Sequence, residues 1–143
     1  MKKLLFLPVL LLVFACGSNS SQREAANGEV TIDSLKSEVL AIHDEVMPKM
    51  GALRKTSQQL QAMADSIVTM DSLQSTELAG VAQEIKNANE GMMNWMRNYE
   101  PDFEGTDEEI RAYLKEQKKA IQQVKDAMER SLAKGEEKLQ EQE

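Results

Sequence analysis

"VTMDSLQ", residues 68–74, is the stretch on which the fold of this chain turns. Before it, apolar residues recur every seven positions: Ile32, Val39, Val46, Leu53, Leu60 and Ile67. A second series three residues on, from Leu35 through Ile42, Lys49, Thr56 and Met63 to Met70, is apolar with two polar members. A seven-residue repeat of this kind is a helical seam, not a strand. After the stretch the pattern resumes as Leu78, Val81, Ile85, Ala88, Met92, Trp95 and Tyr99, offset from the first series. Within it, β-branched and small polar residues interrupt the period. Asp71 followed three positions later by Gln74 has the spacing of a capping box, which satisfies free N–H groups at a helix start. These features predict a turn centred near residues 72–73. No Gly or Pro lies between Ala52 and Ala79, so one uninterrupted helix through residue 70 also fits the pattern.

A third helix follows the loop Glu100-Pro101-Asp102-Phe103-Glu104-Gly105. Thr106 and Glu109 form its capping box, and Asp107 and Glu108 suit the positive end of its dipole. Its seam runs Ile110, Leu114, Gln117, Ile121, Val124, Met128 and Leu132, and the polar tail after Gly135 is expected to fray. Long helices joined by short connections pack antiparallel. The expected fold is therefore all-α: an antiparallel, up-down-up three-helix bundle with long, coiled-coil-like helices over about 31–70, 72–99 and 106–140. Thr31 or Asp33 caps the first helix, and Pro48 kinks it by removing an N–H. Outside the first 15 residues the aromatics are Trp95, Tyr99, Phe103 and Tyr113, so the core is aliphatic and thin. Self-association along the seams is compatible with this pattern.

The N-terminus points to an envelope protein. Lys2 and Lys3 precede an apolar run of 12 residues, Leu4 to Ala15. A spanning helix needs about 20, so the run reads as a secretory signal peptide over residues 1–15. It ends in Val13-Phe14-Ala15-Cys16-Gly17, similar to the lipobox in which the cysteine is lipidated and becomes the first mature residue. Phe14 departs from the usual small residue there. Cys16 is the only cysteine, which excludes an intramolecular disulfide and a thiolate metal cluster. Residues 16–29 read as the lipidated Cys and a flexible Ser/Asn/Gly-rich tether reaching roughly 20 Å. Gly17 is not the Asp linked to inner-membrane retention, and no acidic pair follows the Cys. The expected location is the cell envelope, lipid-anchored to the outer membrane and facing the periplasm. The whole chain carries a formal charge of −7, which disfavours nucleic acid and anionic headgroups as partners. Membrane contact is expected through the N-terminal lipid.

One region is unusual enough to be a candidate site. "IHDEVMPKM", residues 42–50, holds the only His, with Met47 and Met50 four and seven residues beyond His43. Those spacings put the three on one stripe beside the seam. With a turn at 72–73, paired positions sum to about 145, which sets Met50 opposite Trp95 and Val46 opposite Tyr99. "GMMNWMRNY", residues 91–99, then falls beside the first stretch. The combined patch is His43, Met47, Met50, Met92, Met93, Trp95 and Met96. Three readings apply. Methionine fills irregular gaps beside a kink, so the patch is core. Thioether and imidazole ligands suit Cu(I), so it is a soft-metal site. Met-rich surfaces bind partner helices of varied shape, so it is an interaction face.

Catalytic motifs do not emerge. His43 beside Asp44 lacks a placed nucleophile, and no phosphate-binding glycine loop or zinc spacing is present. The acidic run Asp102, Glu104, Asp107, Glu108 and Glu109 lacks the ligand alternation of an EF-hand. The chain is not expected to be an enzyme or to hold a cofactor other than Cu(I). The lipobox, "HDEVMPKM" at 43–50 and the MxxWM segment Met92–Met96 near an aromatic resemble a group of small uncharacterised helical lipoproteins of Bacteroidota. These often carry the automatic label "viral A-type inclusion protein", which reflects generic coiled-coil similarity. The resemblance spans most of the chain after Cys16 and implies an envelope lipoprotein, with no activity attached. The expected role is a binding or structural module, with periplasmic Cu(I) binding as the alternative.

Overall fold

The computed structural model describes residues 30–141, and these form an all-α bundle. The expected signal peptide over 1–15 and the expected lipidated Cys16 with its tether over 16–29 lie outside the described residues. The helices are α1 (Ile32–Val46), α2 (Met50–Ile67), α3 (Ser72–Asn98) and α4 (Asp107–Gln140).

α1 and α2 form the first arm of the bundle. Thr31 caps α1 by accepting the Ser34 N–H at 3.1 Å. The kink expected at Pro48 is a three-residue 3₁₀ turn, Met47–Lys49, between α1 and α2. Pro48 has no N–H to give to the α-helical ladder, and the tighter turn carries the chain past it without leaving helical φ/ψ at Val46 or Met50.

The turn at residues 68–71 has a definite mechanism. The N–H groups of Met70 and Asp71 both bond back to the Ile67 carbonyl, at 2.9 and 2.8 Å. Asp71 is extended, and its side chain accepts the Gln74 N–H at 2.9 Å, which starts α3. The uninterrupted alternative through residue 70 is thereby excluded. The register is fixed by two cross-helix bonds of 2.9 Å, from Ser57 Oγ to the Ala82 carbonyl and from Ser75 Oγ to the Ala64 carbonyl. Both pairs sum to 139, which corrects the expected 145. α2 ends three residues earlier than residue 70, because the Ile67 carbonyl closes the turn. Trp95 consequently lies level with residues 43–44, not with Met50.

α4 completes the up-down-up arrangement. Lys118–Glu38, Lys125–Glu45 and Lys49–Glu129 all link it to the first arm at an offset of 80 residues, so the two run parallel. Lys134–Glu84 and Lys138–Glu77 tie it antiparallel to α3. The seam residues Val39, Val46, Leu53 and Leu60 are fully enclosed, as are Leu78, Ile85 and Met92 on α3, and Leu114, Ile121 and Met128 on α4. Each such side chain contributes about 1.5–3 kcal/mol of burial. Ile32 and Ile67, at the two ends of the first seam, are half-buried.

Gly135 does not end the helix. α4 continues to Gln140, with Leu139 packed against the core and Lys138 bonded to both Glu77 and Glu141. The fraying expected after Gly135 is overturned. The glycine is there because the helices approach closely: a Cβ would lie 2.5 Å from Ile85 Cδ1 and 2.7 Å from Thr56 Cγ2. No helix among the described residues is long and apolar enough to cross a membrane.

Candidate functional site

The three helices do not stop together. In the 139 register, Asn98 at the end of α3 is level with residue 41, so most of α1 runs beyond it with only α4 alongside. The chain fills the vacated edge with rings. His43 lies against Trp95 at a centroid distance of 5.7 Å, and Trp95 stacks on Tyr99 at 4.8 Å. Tyr99 neighbours Tyr113 at 6.3 Å, and Tyr113 stacks on Phe103 at 4.4 Å. Offset stacking of this kind adds about 0.5–1.5 kcal/mol per pair beyond buried area. The loop is tied to the stack because the Glu100 N–H donates to the Tyr113 hydroxyl at 2.7 Å. Burial, then the neighbouring Tyr113 and Asp102, holds the Tyr99 hydroxyl above its ordinary pKa. Among the described residues, the buried Trp95 indole N–H has no hydrogen-bond partner.

The candidate residues share this region but divide by environment. Met92 is fully enclosed in the core, and Trp95 is 8 % exposed. Met50 and Met96 are half-buried. Met47 and Met93 are in solvent, 37 % and 41 % exposed. The half-buried His43 side chain is held by Asp44, whose carboxylate lies 2.8 Å from Nδ1. The bonding leaves Nε2 as the ring nitrogen for any further contact.

Two grooves flank the patch. On the α2–α3 face a groove of about 370 Å³ is lined by Arg54, Ser57, Lys86, Asn89 and Glu90, with Leu53 and Ile85 among its walls. Residues seven apart share a helix face. One heptad from Arg54 and Lys86 lie Met47 and Met93, beyond the groove's lining on the side of the ring stack. Leu40, 46 % exposed, stands one heptad beyond Met47. The second groove, about 790 Å³ between α3 and α4, is lined by Ala88, Gly91, Ala120, Val124 and Ala127, with Trp95 among its walls and the Glu84–Lys134 pair at its rim. Sequence reading missed it. Its signal was the small pair Ala120 and Ala127, spaced one heptad apart on α4.

Among the described residues, no group of three or more His, Cys, Asp or Glu side chains is placed to hold a metal ion. Of the acidic stretch at 102–109, Glu109 serves the cap of α4: it accepts from the Thr106 N–H at 2.8 Å while Thr106 accepts the Glu109 N–H. The Thr106 N–H, then its hydroxyl, holds the Glu109 carboxyl below its ordinary value. Comparisons with protein-family models, curated proteins and solved structures give no match, so function is argued from this geometry alone.

Proposed function

We propose that this protein is a lipid-anchored module of the cell envelope that works through protein contacts, its anchor Cys16 and its contact face the Met-lined groove at the ring-stacked end. The observation that carries the contact face is the exposure of Leu40 on α1, Met47 in the 3₁₀ turn and Met93 on α3, beside half-buried Met50 and Met96. Methionine side chains are flexible and polarizable, so such a face adapts to the ridge of an incoming helix. Arg54, Lys86 and Glu90 in the adjoining groove supply charges of both signs for an incoming helix to match. In the full-length protein, a photo-cross-linker at Met93 is expected to trap one protein partner in the membrane fraction. Met47→Gln should abolish that adduct. Cys16→Ala should release the protein from membranes or block its maturation. Persistence of the adduct in Met47→Gln sinks the contact face, and a membrane-bound, normally cleaved Cys16→Ala sinks the anchor.

The His43–Asp44 contact favours a second reading, Cu(I) binding. A carboxylate on Nδ1 is the arrangement that orients a metal-ligating imidazole through its other nitrogen. Met47 and Met50 follow on the same stripe, and Trp95, the only Trp, lies against the His43 ring. Cu(I) under reducing conditions is then expected to quench Trp95 emission at about one equivalent and to do so more weakly in Met47→Leu/Met50→Leu, an exchange that conserves volume. Equal quenching in both proteins removes this reading.

A further inference from the structure

The opposite end of the bundle carries an apolar cluster that the fold does not use. Among the described residues, Val68, Met70 and Leu73 are 52 %, 79 % and 85 % exposed, all within six positions of the α2–α3 turn. Turns are ordinarily polar, and isolated exposed apolar residues need no explanation, but three together on one tip form a patch. The turn geometry does not call for them. It is held by the Ile67 carbonyl, the Asp71 cap and the buried Ser75–Ala64 bond, none of which involves these three side chains. α4 ends near the level of Leu60 by its offset of 80, so the tip stands roughly 10 Å clear of it.

The charge around the tip is one-sided. No Lys or Arg occurs between Lys55 and Lys86, while Asp65, Asp71, Glu77 and Glu84 do. The cations that α4 brings nearby are engaged: Lys138 bonds Glu77 and Glu141 at 2.7 and 2.8 Å, and Lys134 bonds Glu84 at 2.8 Å. A bilayer surface is a poor match, because an acidic tip is repelled by anionic headgroups and presents no cation to phosphates. A second copy meeting tip to tip would oppose acid to acid. We propose that the hairpin tip is a docking surface for a protein partner offering an apolar pocket rimmed by Lys or Arg, with Met70 and Leu73 as the inserted anchors and Asp65 and Asp71 facing the rim. It lies about 30 Å along the first arm from Met47, at the far end from residue 30, so it is separate from the Met-lined face.

The test uses the full chain in its native envelope, with a benzophenone side chain replacing Val68 and a control placed at exposed Lys55. The expected result is one protein adduct at position 68, absent at 55, whose cross-linked peptide in the partner lies beside Lys or Arg. Met70→Gln/Leu73→Gln and, separately, Asp65→Lys should each lower that adduct about ten-fold, with melting unchanged because all three positions are exposed. The proposal is overturned by an adduct with lipid, with a second copy of this chain, or with none. An adduct indifferent to Asp65→Lys overturns it equally. These outcomes do not depend on Cys16→Ala or on the Met93 adduct, so this inference and the Met-face reading fail separately.

Discussion

The two ends of the bundle solve the same packing problem with different side chains. Toward the hairpin, small and aliphatic residues interlock: Ala64, Ser75, Ala82 and Gly135 bring backbones close, and Leu60, Leu78 and Ile85 fill what remains. Toward the start of α1, α3 runs out, and the planar rings of Tyr99, Phe103 and Tyr113 cover the edge it leaves, with Trp95 and the methionines on the levels just before it. Close approach is possible only where all three helices run together. Where one is missing, large flat side chains reach further, and next to them, among the described residues, the Trp95 N–H has no partner and Met47 and Met93 stay partly exposed.

The contrast can be broken most visibly at the methionines. Met92→Ala should destabilise the protein by about 2–5 kcal/mol in urea unfolding, since its site is closed on all sides. Met93→Ala, one residue along, should change stability by no more than about 0.5 kcal/mol. Equal effects would mean that Met93 is packed as closely as Met92. Glycine substitutions sharpen the opposite half. Gly135→Ala must displace Ile85 and the stiff Thr56 methyl, so a loss of roughly 1–3 kcal/mol is expected. Gly91→Ala meets nothing within 4 Å and should gain about 0.5–1 kcal/mol from helix propensity. Two thermal melts read both signs.

Smaller effects come from the exposed ion pairs and the α4 cap. Thr106→Ala should cost about 1 kcal/mol by freeing the first N–H groups of α4. Glu38, Glu45 and Glu109 have carboxyls held below their ordinary value, chiefly by hydrogen bonds from Lys118, Lys125 and the Thr106 backbone respectively. Folded-state values below the unfolded ones mean these groups stabilise the fold above about pH 4.5 and lose that effect as pH falls through the lowered values. Tyr99 is shifted up, so its contribution holds below about pH 10 and is lost as pH rises further. A plot of melting temperature against pH should therefore decline at both extremes, and in Tyr99→Phe the alkaline decline should shrink.

Much of this molecule is written in local pattern. The seven-residue repeat from Val39 to Leu60, the resumed series from Leu78 to Trp95, the Asp71 start and the Thr106–Glu109 box were legible because helix seams and caps depend on residues within one or two turns. The candidate site was legible only in part. That His43 and Trp95 belong together followed from an antiparallel hairpin, but the pairing that brings the rings to 5.7 Å rests on where α2 stops. A three-residue difference in that point moves every partner by six, and no local rule distinguishes Ile67 from Met70 as the last helical residue. The exposure of Met47 and Met93, the split of the methionine stripe and the closeness that makes Gly135 necessary are likewise decided by which helices lie alongside at each level. Sequence by itself determined that the chain forms long helices and where their apolar faces run, because that information is local. Only the tertiary structure decided register and helix overlap, because these follow from packing between residues far apart in the chain.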